Sequence, residues 1–222
     1  MEYIDQTGST NADLLESAPH RLDRSVLVTD HQTAGRGRLD RRWDAPPGAN
    51  LLVSVLFHEV PAEAGELVRR LSLAAVDAVR LTVPGAGTVG LKWPNDILLG
   101  DGKLAGVLAQ RSAEGAVVVG IGVNVGWCPR DGAKLGDGID RPSVLAALLT
   151  AYDALPRSPD DLMVRYRDEL STLGQRVRVQ MPSGDVVGDA ADVTQSGQLR
   201  VRDDDGKTHQ IAAADVIHLR PA

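Results

Sequence analysis

The hydrophobic positions of this chain follow several rhythms. Near the start, residues 2–4 read as a short strand. Ser9 or Thr10 then caps a helix carrying Leu14 and Leu15, with Asn11, Ala12 and Asp13 in its first turn. Residues 25–29 and 51–57 are β-rich and almost wholly apolar, which predicts buried strands, the second buried on both faces. Between them, residues 31–48 hold no period and much Gly, Pro and Arg. That predicts a long loop, and loops of this length are uncommon unless functional or disordered. Residues 63–82 switch to helical spacing. Leu67, Leu71, Ala74, Ala75, Ala78 and Val79 form one stripe, ended by Pro84, Gly85 and Gly87.

Four strand-like pieces follow at 90–93, 96–99, 103–110 and 116–125, with hairpin chemistry at Gly100-Asp101-Gly102 and Ala113-Glu114-Gly115. Residues 126–141 read as a polar, Gly-rich loop. Pro142 introduces a helix over 144–149, and Ser158-Pro159-Asp160-Asp161 opens another that runs to about 173, where Gly174 stops it. Beyond 174 short strands alternate with turns, at 176–180, 185–193, 198–202, 210–211 and 216–219. The breaks are Pro182-Ser183-Gly184, Ser196-Gly197 and Asp204-Asp205-Gly206. The prediction is an α+β fold: a mixed or antiparallel sheet with packed helices over 1–173, then a small β-barrel over 174–222.

Composition narrows the functional classes. Of 222 residues 43% are hydrophobic but only 3% aromatic, so the core rests on Leu, Val, Ile and Ala, and a loop residue such as Trp43 asks for a functional reason. The formal net charge of −6 argues against a nucleic-acid-binding surface. The single cysteine, Cys128, excludes an internal disulfide and a cysteine-based zinc cage, and the five His residues show no metal-ligand spacing. No leader pattern and no apolar run of about 20 residues is present, which predicts a cytoplasmic protein without a membrane partner. No Gly-x-Ser-x-Gly elbow appears, so no covalent enzyme intermediate is expected.

Against that acidic background, Gly35-Arg36-Gly37-Arg38, followed by Arg41, Arg42 and Trp43, concentrates positive charge on one glycine-hinged loop. Arginine is a rigid fork of donors suited to carboxylate and phosphate, and glycine lets a ligand approach the main chain. A small anion held there is the functional reading; a solvated basic loop is the plain one. It is neither a Walker loop nor a dinucleotide fingerprint. In Lys92-Trp93-Pro94-Asn95-Asp96, Pro94 forces a bend that turns Asn95 and Asp96 off a strand end, where Asp96 can hold a metal or accept a proton; a simple turn explains it equally. Lys103, beside Gly106, is either a site cation or a solvated edge charge. Gly120 and Gly122, in the run ending Asn124-Val125, mark either a ligand wall or a packing bulge. Ser9-Thr10-Asn11 needs no function beyond a helix cap.

Taken in order, Gly8-Ser9-Thr10-Asn11, Gln32 through Arg38, Trp43, Gly48-Ala49-Asn50-Leu51, Lys92 through Asp96, Lys103 through Gly106 and Gly120 through Val125 resemble the biotin protein ligases. The likeness spans residues 3–126, with a weaker one to that family's C-terminal barrel over 174–220. It implies a catalytic fold like class II aminoacyl-tRNA synthetases with a Src-homology-type barrel appended. It also implies a two-step reaction: biotin and ATP form biotinyl-5′-AMP with magnesium's help, and a lysine of a biotin carboxyl carrier domain of acetyl/acyl-CoA or pyruvate carboxylase then takes the biotin. By resemblance, Ser9, Thr10, Asn11, Gln32, Arg36, Gly37, Arg38, Lys103 and Gly106 bind biotin. Arg36, Arg38, Arg41, Trp43, Lys92, Asn95 and Asn124 bind ATP, and Asp96 the metal. Lys103, Arg36, Arg38 and Asp96 carry catalysis.

Two departures stand out. Leu39 and Asp40 replace the family's usual spacer and glycine, and no DNA-binding domain is expected before Ser9, which argues for a ligase that is not itself a repressor. A monomer or weak homodimer is expected. The rival readings are a lipoate or octanoyl ligase of the same fold and a non-catalytic biotin or nucleotide sensor.

Overall fold

The computed structural model describes residues 1–39, 41–181, 184–212 and 214–219, so Asp40 and the Pro182-Ser183 part of one predicted turn lie outside the described residues. Seven strands form one sheet: β1 (Glu2–Thr7), β2 (Val26–Gln32), β3 (Leu51–Phe57), β4 (Val89–Lys92), β5 (Asp96–Leu99), β6 (Gly102–Arg111) and β7 (Val117–Val123). Their order is β1-β2-β3-β7-β6-β5-β4. The predicted meander accounts for β3 to β7, all antiparallel. β1 instead pairs parallel to β2, because α1 (Thr10–Ser17) carries the chain back across the sheet between them. β2 also runs on to Gln32, past the predicted end at residue 29, because its last residues pair with Gln6 and Thr7 of β1.

The sheet's two faces are covered unequally. Helices α2 (Gly65–Thr82) and α3 (Arg141–Ala154) pack together, and α2 lies on β4 to β7. They bury Val53, Val55, Phe57, Val119, Ile121 and Val123 from that side. The opposite face carries α1, whose Leu14 meets Leu27, Leu56 and Val118 in a smaller cluster. β3 therefore has apolar residues on both faces, as its unbroken hydrophobic run requires. The far end of α1's face is left for a cleft.

α3 is longer than predicted because Asp140 caps it, accepting from Ser143 N at 2.9 Å with Pro142 in the first turn. α4 (Pro159–Glu169) starts at its Ser158 cap, ends at Glu169, and gives way to a turn closed by Gly174 at φ +76°.

Five antiparallel strands follow: β8 (Arg176–Gln180), β9 (Val186–Val193), β10 (Leu199–Arg202), β11 (Thr208–Ile211) and β12 (Asp215–His218), in the order β11-β10-β9-β8-β12. Their inward residues Val177, Val179, Val193, Leu199 and Val201 belong to the same continuous core as the first sheet. Trp93 is the joint. It is 2% exposed, its backbone N–H donates to Thr172 Oγ1 at 2.9 Å, and its indole N–H donates to Gly197 O at 2.9 Å. Among the described residues no helix is long and apolar enough to cross a membrane.

Candidate active site

Strand register builds the floor of the cleft. Asp96, Gly106, Gly122 and Leu52 face one another across four strands, and Leu108, Gly120 and Ser54 form the next row. Side chains two apart share a face, so both rows look toward α1. The glycines are there for space. A Cβ on Gly120 would overlap Asn11 Oδ1 and sit 3.1 Å from Ser54 Oγ; one on Gly122 would lie 2.8 Å from Trp43 Cζ2. No bulge is present in β7, and the space left by the missing side chains is taken by Asn11 of α1 and Trp43 of the arginine loop.

One end of the cleft is a neutral polar cup. Gln32 Oε1 accepts from Thr10 N at 2.9 Å, and Thr10 Oγ1 lies 3.0 Å from it and 2.6 Å from Ser54 Oγ. Ser54 Oγ donates to Asn11 Oδ1 at 2.6 Å, and Asn11 Nδ2 donates to Gln110 Oε1 at 2.9 Å and Leu108 O at 3.2 Å. Each hydroxyl has one proton: Ser54 gives its proton to Asn11, so the Thr10 proton is shared between two acceptors, Gln32 Oε1 and Ser54 Oγ. Among the described residues no protein acceptor meets Gln32 Nε2. Ser9 stands at the cap position of α1 with extended backbone, yet its hydroxyl makes no capping bond, which leaves it for the cleft.

The other end is cationic. Residues 35–39 and 41–43 are the arms of a closed hairpin rather than a loose loop: Gly37 N donates to Arg41 O at 2.7 Å, Trp43 N to Gly35 O at 3.0 Å, and Arg36 bridges Arg42. Leu39 turns the tip with φ +53°. Arg38 Nη1 donates to Asn95 Oδ1 and to Ala214 O, each at 3.3 Å, while Arg41 pairs with Asp215. Lys103 Nζ lies 2.7 Å from Asp96 Oδ1 and 5.5 Å from the centroid of the Trp43 ring. Burial depresses the Arg38 guanidinium from its ordinary value, and the Asp215 and Asp96 carboxylates oppose this; arginine stays charged regardless.

These parts line one cleft of about 540 Å³, where six cations (Arg36, Arg38, Arg41, Arg42, Lys92 and Lys103) face two carboxylates (Asp96 and Asp215). Such an excess in a concave site attracts anions. Ser9, Thr10, Asn11, Gln32, Gly37, Trp43, Asn95 and Gly106 also line it. Asn124 does not. It is 2% exposed, donates to Lys103 O at 3.2 Å and Ala133 O at 3.1 Å, and accepts from Asn50 Nδ2 at 3.1 Å. Its amide clamps the start of β6 to the loop that follows β7. Trp43 reaches the sheet floor, and its buried Nε1 meets no acceptor among the described residues.

Sequence reasoning missed Ser54 and the C-terminal wall of Gln180, Asp215, Val216 and Ile217. A lone serine inside the apolar run 51–57 was a usable signal for the first. The second depends on how two distant segments dock.

Fold and site together define a cleft with a neutral polar cup at one end and a cluster of cations at the other. The sequence matches the biotin/lipoate A/B protein ligase family over residues 3–127 and the biotin protein ligase C terminal domain over residues 172–219. It is 42% identical to a biotin–[acetyl-CoA-carboxylase] ligase of Mycobacterium tuberculosis (strain ATCC 25618 / H37Rv), over 99% of this chain and 89% of that one. It is 28% identical to the bifunctional ligase/repressor BirA of Bacillus subtilis (strain 168), over 96% of this chain and 72% of that one. The chain belongs to the biotin protein ligase family. In fold it matches a biotin protein ligase from Aquifex aeolicus in complex with biotin and ATP, with a TM-score of 0.82 over 98% of both chains at 23% identity.

Proposed function

We propose that this chain is an ATP-dependent biotin protein ligase, cytoplasmic, that makes biotinyl-5′-AMP and passes the biotinyl group to a lysine of a biotin carboxyl carrier domain of acetyl/acyl-CoA or pyruvate carboxylase. The observation that carries this reading is the continuity of the neutral cup with the cationic hairpin in one cleft. A ureido head needs both donors and acceptors, which Ser9, Thr10, Asn11 and Gln32 supply. A carboxylate must attack a phosphorus already surrounded by negative charge, so the main barrier is anion meeting anion. Arg38, bonded to Asn95 and Ala214 O, and Lys103, paired with Asp96, are held in place before the ligands arrive, and preorganised charge of this kind is usually the largest catalytic contribution.

In the first step a biotin carboxylate oxygen bonds the α-phosphorus, and the bond to the β-phosphate breaks to release pyrophosphate. Lys103 and Arg38 stabilise the carboxylate and the α-phosphate oxygens; Arg41 and Lys92 face the leaving phosphates. In the second step the carrier amine bonds the acyl carbon, AMP leaves, and Asp96 stands ready beside Lys103 to take the amine proton. Gly37 and Gly106 let the main chain approach the ligand, Asn95 holds Arg38, and Trp43 covers the ligand's apolar part.

Among the described residues no group of three His, Cys, Asp or Glu side chains is placed to cage a metal. Asp96 is a single carboxylate already paired with Lys103. That suits magnesium carried on the triphosphate, which takes one or two carboxylates and keeps its phosphate and water ligands. When bound, the ion neutralises phosphate charge.

Biotin-dependent exchange of labelled pyrophosphate into ATP tests the first step. Exchange with biotin and none with lipoate is expected. Binding of biotin without exchange would turn the assignment to the sensor reading, and exchange with lipoate alone to the lipoate ligase.

A further inference from the structure

Asp215, the first residue of β12, and Ala214 just before it hold the arginine hairpin. β12 begins at Asp215, opposite Gln180 of β8, and this end lines the cleft. Ala214 O accepts from Arg38, and Asp215 pairs with Arg41. The two partners differ in setting. The Asp215 side chain is 21% exposed and fixed on a strand, while the Arg41 side chain is 65% exposed on a long stem. The arginine is the partner that can leave. Asp96, the other carboxylate of the cleft, is held by Lys103. Asp215 is therefore the carboxylate that answers the hairpin's own charge.

We propose that Asp215 is a positioning residue, an internal counter-anion that docks Arg41 in the ligand-free cleft and gives it up to the triphosphate of ATP. A single exposed ion pair is a weak interaction, screened by salt. A triphosphate carries several charges and accepts a guanidinium in a two-pronged geometry, so it wins the exchange. In the empty cleft the carboxylate relieves repulsion among converging cations and keeps the hairpin folded down. In the loaded cleft the same carboxylate repels the phosphates. The C-terminal sheet thereby sets both the order of the hairpin and the affinity for nucleotide. This rests on reading the cleft as the place where ATP binds.

The test is Asp215→Asn in the full chain, with Asp215→Glu as the companion that keeps the charge. Three results are expected. Trypsin cleaves the ligand-free variant after Arg41 or Arg42 about threefold to tenfold faster than the parent, and high salt brings the parent toward the variant. The Kd for ATP with magnesium falls by about threefold to tenfold, while the Kd for biotin stays within about twofold. Asp215→Glu behaves like the parent in both assays. A merely structural aspartate would weaken ATP and biotin together when replaced. Equal or weaker ATP binding by Asp215→Asn, or unchanged cleavage, overturns the proposal while leaving the ligase reading in place. ATP binding to neither protein overturns both.

Discussion

The indole of Trp43 occupies the space above Gly122 that any side chain there would need: a Cβ on Gly122 would lie 2.8 Å from Cζ2 of the ring. The two residues are far apart in sequence, and the contact seats the end of the arginine hairpin on the sheet floor. Gly122→Ala therefore lifts the ring and the hairpin with it. A red-shifted tryptophan emission and a biotinylation rate lower by about 5- to 30-fold are expected, the effect of one or two kcal/mol. Unchanged emission with unchanged rate would contradict the seating of Trp43.

Lys103 serves chemistry more than stability. Its pair with Asp96 is 2.7 Å long, but its side chain is 41% exposed, so solvent screens it. Lys103→Ala should lower biotin-dependent pyrophosphate exchange by about 10²- to 10³-fold, as losing one preorganised donor does. Thermal unfolding should move by less than about 1 kcal/mol. A large stability loss with little kinetic effect would reverse these roles.

Much of this was legible because the signals are local. The apolar run 51–57 announced a strand buried on both faces, and arginines set between glycines announced a cationic loop, though not that it closes into a hairpin. Other features needed the fold. The parallel pairing of β1 with β2 follows from a crossover, and no residue in either strand encodes it. Asn124 carries the polarity of a ligand contact, but Asn50, brought alongside it by the chain, engages its amide. Asp215 lies 174 residues from Arg41, a pairing with no local signature.

Acid should loosen the joint between the sheets. His218 Nε2 lies 3.2 Å from Thr172 Oγ1, the hydroxyl that also accepts from Trp93 N. Burial pushes the imidazole below its ordinary 6.5, and Lys92 nearby adds to this. The folded pKa is thus below the unfolded one, so between the two values the unfolded chain binds the extra proton. This contribution to stability is full above about pH 6.5 and is lost as pH falls toward the depressed value. Denaturation midpoints at pH 7.5 and 5.5 should differ more for the parent than for His218→Gln. Equal differences would remove His218 from the account.

Trp93 ties the two sheets through its indole N–H to Gly197 O at 2.9 Å. Trp93→Phe keeps the ring buried but leaves that carbonyl unpaired, and should destabilise the protein by about 1–3 kcal/mol in urea unfolding. The biotin Kd should hold, because the polar cup lies elsewhere in the cleft. A stability change near zero would mean the bond carries nothing.

The most direct measurement is the mass of a purified biotin carboxyl carrier domain after incubation with this protein, biotin, ATP and magnesium. One biotinyl group on one lysine, dependent on ATP and absent with Arg38→Ala, is the predicted result. An unmodified carrier domain under conditions where the protein binds both biotin and ATP would contradict it.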